Sequence, residues 1–207
     1  MAKKYNLAVF VSGRGSNLRA ILENLDLKSL ISVKGIFSDK KDCPAFEIAN
    51  EFSIPTFPVS FSSKTGFDVQ RDLLDILKSL ETDLIVLAGF LKLIPAELTR
   101  DYKNRIINIH PALLPSFGGR GMYGINVHKA VFRSSAKVSG ASVHFVNEIY
   151  DEGLIINQKA VDIATVKSPE EIAERVLKIE HTLLPETIKL FALDKIRIMD
   201  NRVDILS

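Results

Sequence analysis

Asn108, His110 and Pro111 close a short apolar run, Ile106–Ile109, and their types and spacing suit chemistry. In a strand, side chains alternate between faces, so Asn108 and His110 point one way while Ile107 and Ile109 point the other. An amide and an imidazole then stand about 6.6 Å apart along the strand. They sit at its carboxyl end, where the ligand crevices of open α/β sheets lie. That pair suits acyl transfer: one group holds a developing oxyanion, and the other moves protons or donates to the same oxygen. A lone histidine at a strand end is more often a satisfied structural residue. Here the neighbouring Asn108, Pro111 and the loop behind them make that bland account poor.

A second candidate is Ser12-Gly13-Arg14-Gly15-Ser16-Asn17, set between a strand and a helix. Backbone N–H groups at such a helix start can meet an anion, and glycines let the chain turn tightly against it. The third glycine of the dinucleotide fingerprint is missing, and no lysine follows as in a P-loop. Two accounts stay open: a tight turn with Ser16 as N-cap, or the seat of a phosphate monoester on a small ligand. The remaining histidines divide. His128 is expected on a surface helix in a structural role. His144 faces away from Val143 and Phe145 and can line a cleft. His181, after Glu180 on a long helix, suits a structural or a functional role equally. Asp151, within Tyr150-Asp151-Glu152-Gly153, is by itself a turn residue. Four scattered histidines show no metal-ligand spacing, so no metal is expected. No Gly-x-Ser-x-Gly elbow supports a serine hydrolase.

The elements that must position these residues alternate. Tyr5–Ser12, Ile31–Ser38, Pro55–Val59, Asp83–Ala88 and Ile106–Ile109 read as strands, the fourth apolar on both faces as a central parallel strand should be. Between them Asn17–Asn24, Ala45–Phe52 and Phe67–Leu80 carry helical stripes. The order predicts an α/β fold with a doubly wound, mostly parallel sheet flanked by helices. Residues 111–124 form a loop too long for a simple connection. Lys137–Asn147 and Leu154–Ile163 then read as an antiparallel pair. Ser168-Pro169-Glu170-Glu171 is a capping box opening a long helix that Pro185 kinks or ends. Ile196–Leu206 reads as a hairpin turning at Asp200-Asn201-Arg202, which gives the sheet's companion an antiparallel C-terminal part. With no repeat or linker, residues 1–207 are expected to form one domain.

Composition narrows the partners. The chain has 207 residues, of which 46% are hydrophobic and 25% charged, the balance of an ordinary globular protein. Its net charge of +2, from 27 basic and 25 acidic residues, leaves no general footprint for nucleic acid. Cys43 is the only cysteine, which excludes an internal disulfide. The apolar run Leu7–Val11 is too short for a signal sequence or a membrane span, so the cytoplasm is the expected compartment.

The segments VFVSGRGSNL (9–18), VLAGFLKLIP (86–95), INIHPALLPSFGG (107–119), GASVHFVNEIYDEGLIINQ (140–158) and ERVLKIEH (174–181) closely resemble, in this order, the glycinamide ribonucleotide formyltransferases. The Asn-x-His-Pro loop with a later Asp-x-Gly is shared by the wider formyltransferase superfamily, which has a Rossmann-like fold. The resemblance implies transfer of a formyl group from 10-formyltetrahydrofolate, as co-substrate, to the amine of 5'-phosphoribosylglycinamide, a step of de novo purine synthesis that needs no metal. It implies that Asn108, His110 and Asp151 are catalytic, with Asp151 beside His110 and holding its pKa above the unperturbed value of about 6.5. Gly15, Ser16 and Asn17 would hold the ribonucleotide phosphate, so that Gly15→Val would block it, and Glu180 would contact the glycinamide. Leu91, Lys92, Leu93, Ile94 and Asn108 would border the folate, partly through main chain, and Lys64 would meet its tail. Lys92 stands where many members have arginine, and lysine lacks the planar fork that binds a carboxylate. The partners implied are these two small molecules, with neither nucleic acid nor membrane. Two rivals remain: a hydrolase that deformylates the same folate with water, and a phosphosugar-binding module without catalysis.

Overall fold

Apolar runs of four to seven residues, rich in Val, Ile and Leu, build the centre of the sheet, where they are buried on both faces. The computed structural model describes residues 3–59 and 66–206, and for 66–70 the backbone alone. Strand β1 (Tyr5–Val11) pairs in parallel with β2 (Ile31–Ser38) on one side and β4 (Leu84–Leu87) on the other. Beyond β2 lies β3 (Thr56–Pro58), and beyond β4 lies β5 (Ile106–His110), both parallel. The connections run through α1 (Ser16–Glu23), α2 (Ala45–Glu51), α3 (Gly66–Ser79) and the six-residue α4 (Ala96–Asp101). The last of these has too few residues to show a helical stripe and is not evident in the sequence.

The chain continues through α5 (Ile125–Arg133), β6 (Val138–Phe145), β7 (Ile155–Asp162) and α6 (Pro169–Ala192) to a separate hairpin of β8 (Ile196–Met199) and β9 (Arg202–Ile205). The seven-stranded sheet has the order β3-β2-β1-β4-β5-β6-β7, with β6 and β7 antiparallel. The mostly parallel sheet, its flanking helices and the antiparallel C-terminal part are those the alternation predicts. Two compact units divide the chain, Met1–Asn108 and Ile109–Ser207. In the first, Leu7 to Val11 are wholly buried, and Phe37 stacks on Phe10 at 4.7 Å and on Phe57 at 4.8 Å. In the second, Ala141 and Val143 of β6 are buried, as are Ile172, Val176, Leu183 and Leu184 of α6.

Pro185 does not end α6: the helix runs 24 residues and carries that proline inside it. A proline in a helix interior costs about 3 kcal/mol through one lost hydrogen bond and a steric clash. Burial of Leu183, Leu184, Pro185 and Ile188 on one helix face offsets that cost. Among the described residues, no helix is long and apolar enough to cross a membrane.

Half of the expected capping box is present at the start of α6: the Ser168 hydroxyl accepts from the Glu171 N–H at 3.2 Å and Pro169 takes the first helical position, while the Glu171 carboxylate accepts from the Lys167 N–H at 3.0 Å, one residue before the cap. Ser168→Ala should lower stability by about 1 kcal/mol. In a chain of this size that is a melting point roughly 2–4 °C lower. An unchanged melt by circular dichroism would show that the cap carries no weight.

Candidate functional site

In the second unit a carboxylate is buried between two imidazoles. Asp151 Oδ2 lies 3.6 Å from His110 Nδ1, and its Oδ1 lies 3.6 Å from His144 Nε2. The three side chains are 10%, 3% and 2% exposed, in the order Asp151, His110, His144. Asp151 arrives by a turn in which its own φ is +58°. Gly153 makes that turn possible, because a Cβ there would overlap the Phe145 carbonyl of β6. The Asp-x-Gly pairing thus has a steric cause: without a side chain at Gly153 the turn can close against β6, where Phe145 N–H donates to Leu154 O at 2.9 Å.

The loop after β5 supplies the remaining contacts. Its first half is pinned from β6 and β7. The Ser142 hydroxyl donates to Ala112 O at 2.7 Å and accepts from Leu114 N–H at 3.0 Å, while Gln158 Nε2 donates to Leu114 O at 2.9 Å. Further on, Gly119 N–H donates to Asp151 Oδ2 at 2.8 Å. The Phe117 carbonyl lies 2.9 Å from His110 Nε2. A carbonyl can only accept, so Nε2 carries a proton and Nδ1 is the nitrogen turned to Asp151. His144 repeats the device, its Nδ1 donating to Phe145 O at 2.7 Å and its Nε2 facing the carboxylate.

Burial dominates the electrostatics. It lowers the His110 pKa below the ordinary 6.5, and the opposing pull of the Asp151 charge and the Phe117 carbonyl does not restore it. The expectation of a raised His110 pKa is therefore overturned: desolvating the imidazolium outweighs a carboxylate 3.6 Å away. For Asp151, burial pushes the pKa up, but the opposing pull of His144, His110 and the Gly119 N–H together holds it below the usual value. The resting site is an anionic carboxylate beside a neutral, hydrogen-bonded imidazole.

The other expected residues fall as follows. Asn108 is half-buried in β5, two residues before His110, as strand alternation requires. Glu180 is buried on the inward face of α6, among Val176, Leu183 and Leu184, an unusual place for a carboxylate. In the first unit, Gly15 rather than Ser16 is the N-cap of α1, with φ +77°, and no side chain caps that helix. Ser16 is exposed at its first position and Asn17 is buried. Residues 91–93 are exposed although two are leucines, whereas the Ile94 side chain is in the core. Lys64 lies outside the described residues. Among the described residues, no group of His, Cys, Asp and Glu is arranged to hold a metal ion.

Sequence reasoning marked His144 only as a residue able to line a cleft, and it left Ser142 and Gln158 out. The alternation of β6 puts Ser142 and His144 on one face, which is a signal; that they meet Asp151 and residues 112–114 is a tertiary fact. His128 was expected at the surface and is buried in α5 instead. The helix presents Val127, His128 and Val131 inward, so the imidazole follows its apolar neighbours.

His128 also gives the fold a pH dependence. Its Nδ1 has no partner among the described residues, and burial, with His110 adding repulsion, pushes its pKa down to about 4. A folded pKa below the unfolded value means the unfolded chain binds more protons. The stabilisation is then complete above pH 6.5 and is lost as pH falls from 6.5 towards about 4. Within that window this group should contribute a slope of about 1.4 kcal/mol per pH unit. Denaturant melts of wild type and His128→Gln from pH 7 to 4 check this; equal slopes would refute it.

The chain has clear relatives among known proteins. The formyl transferase family matches residues 5–188. The chloroplastic phosphoribosylglycinamide formyltransferase of Arabidopsis thaliana is 44% identical over 207 residues, covering 99% of this chain and 71% of that protein. The phosphoribosylglycinamide formyltransferase of Bacillus subtilis is 40% identical over 190 residues, 88% of this chain and 92% of its own. Among solved structures, glycinamide ribonucleotide transformylase 1 from Symbiobacterium toebii superposes with a TM-score of 0.90 at 32% identity, over 99% of this chain and 95% of that one. A formyltetrahydrofolate deformylase from Pseudomonas syringae shares the fold, with a TM-score of 0.88 over 100% of this chain and 67% of that one, at 23% identity. With a family match across most of its length, and relatives of this similarity, the chain belongs to the formyl transferase family.

Proposed function

We propose that this protein transfers the formyl group of 10-formyltetrahydrofolate to the amine of 5'-phosphoribosylglycinamide, giving the N-formyl product and tetrahydrofolate in de novo purine synthesis. The observation that carries this reading is the Asp151 carboxylate held 3.6 Å from His110, on the strand that also bears Asn108. The 44% identity to a phosphoribosylglycinamide formyltransferase selects the acceptor. We treat the whole chain as one functional domain acting in the cytoplasm; the plant relatives are chloroplastic.

In this mechanism the glycinamide nitrogen attacks the formyl carbon, a C–N bond forms, and the carbonyl oxygen becomes an oxyanion. Asn108 donates to that oxygen. His110 donates as well, from the Nε2–H that Phe117 O accepts in the resting structure, so the substrate oxygen takes the place of that carbonyl. A neutral imidazole suffices for this donation, which removes the need for a raised pKa. As negative charge develops, the proton released by the attacking amine can rest on Nδ1, where Asp151 stabilises the cation so formed, before it is passed on. The bond to N10 then breaks, and the proton lost by the attacking amine passes to N10, with Asp151 acting through a water.

Gly15, Ser16 and Asn17 are proposed to hold the phosphate, since first-turn N–H groups of a helix lack acceptors within it. Glu180 is proposed to meet the glycinamide amine. Residues 91–94 and Asn108 are proposed to border the folate, with Lys64 near its tail.

Two measurements test the reading. Consumption of 10-formyltetrahydrofolate should require the ribonucleotide, and Asn108→Ala should lower kcat by about 10²- to 10³-fold. Release of formate without an amine acceptor would instead establish a deformylase. Gly15→Val is a poor probe of the phosphate seat, because a Cβ at Gly15 would lie 2.7 Å from the Ala45 Cβ. Gly13 has nothing within 4 Å of such a Cβ, so Gly13→Val leaves the packing intact while crowding the loop. It should raise KM for the ribonucleotide about tenfold or more and spare that for the folate; equal loss of both would remove the phosphate assignment.

A further inference from the structure

The order of the parallel strands reverses between β1 and β4, since β2 and β3 follow on one side and β5 on the other. The crevice beyond such a switch point is where open α/β sheets bind ligands. The two segments that leave these strands are residues 12–17 and 88–95. Under the function proposed above, Gly15, Ser16 and Asn17 of the first hold the ribonucleotide phosphate, and the second borders the pterin; Ser12 itself meets neither ligand.

Ser12 ties the two together. It is the first residue past β1 and is 1% exposed. Its backbone N–H donates to Gly89 O at 3.1 Å, and its hydroxyl accepts from Leu91 N–H at 3.0 Å. The same hydroxyl donates to Asp39 Oδ1 at 2.6 Å, just beyond the end of β2. These directions are fixed: a carboxylate can only accept, so the hydroxyl proton goes to Asp39 and a lone pair is left for Leu91. A short bond to a carboxylate is stronger than a neutral one, and it polarises the oxygen into a better acceptor for the Leu91 N–H. The segment so held has no regular structure, and it keeps Leu91 and Leu93 turned outward at 44% and 43% exposure. Apolar side chains held out in this way need a restraint on their backbone, and the Ser12 hydroxyl supplies one.

We propose that Ser12 and Asp39 are positioning residues for the folate: the Asp39 carboxylate orients the Ser12 hydroxyl, and that hydroxyl fixes the main chain at Leu91 against which the pterin is read. The proposal rests on the reading that residues 89–94 receive the pterin. Neither residue touches the reacting atoms. Their effect is on how much of the segment's freedom must be lost when folate binds.

The experiment compares Ser12→Ala, Asp39→Ala, Asp39→Asn and the double alanine variant. Ser12→Ala should raise KM for 10-formyltetrahydrofolate about five- to tenfold, the net worth of the one neutral hydrogen bond lost by the Leu91 N–H. Its kcat and its KM for the ribonucleotide should stay within about twofold. Asp39→Asn keeps an acceptor oxygen and should recover most of the folate affinity lost in Asp39→Ala. The double alanine variant should be no worse than Ser12→Ala, because the two residues act through one bond. Circular dichroism melts identify any variant that fails to fold. Hydrogen exchange separates the proposal from the reading beneath it. If the folate does not slow amide exchange of residues 89–94 in the wild type, the pterin site is elsewhere and both fail. If it does, and a folded Ser12→Ala keeps wild-type folate KM or loses affinity for both substrates equally, the positioning role alone is overturned.

Discussion

A carboxylate taken out of water between two imidazoles is costly unless its oxygens are satisfied, and the arrangement of the second unit follows from that requirement. Asp151 receives a backbone N–H from Gly119, and on each side it faces a ring nitrogen that becomes a donor to it on taking up a proton. To bring Gly119 there, the loop after β5 must be anchored, which Ser142 and Gln158 do at residues 112–114. To bring Asp151 there, the turn must close against β6, which Gly153 allows. Four separate stretches of sequence are thus committed to one buried charge.

The same burial decides the protonation of His110. A cation in that position would be stabilised by Asp151 but would lose its hydration, and the second effect is larger. The imidazole therefore waits neutral, with one nitrogen already a donor and the other beside the carboxylate. That state suits a group that must meet an oxyanion: it donates at once and can take a proton as charge accumulates. A permanently charged imidazole would have less to gain in the transition state relative to the ground state.

The first unit poses a different problem, how to hold irregular backbone in place beside a sheet. The segment following β4 has neither helix nor strand to order it between Ala88 and Pro95. Its backbone is tied instead to the end of β1: Gly89 O accepts from the Ser12 N–H, and the Leu91 N–H donates to the Ser12 hydroxyl. Polar groups shared between neighbouring loops can define a surface without covering it, which is what a site for a flat, polar-edged ligand requires.

Much of this architecture is legible in the residues alone. Doubly apolar strands such as Leu84–Leu87, separated by helical stripes, allow few folds other than a parallel sheet, because nothing else buries both faces. Alternation along Ile106–His110 places Asn108 and His110 on one face, and the Ser168 cap starts α6 as written. The misreadings have a common origin. Of the two expectations for Pro185, a kink or an end, the end does not occur, because the buried face of α6 carries the helix through it. His128 reads as a surface residue because imidazole is polar, yet the packing of α5 turns it inward. The charge state of His110 could not be read from its neighbour Asp151 alone, because desolvation depends on every group that excludes water, and those come from distant parts of the chain. Local sequence determined which elements form and which side chains share a face. Tertiary structure decided which groups lose their water, and with that the protonation of His110 and Asp151.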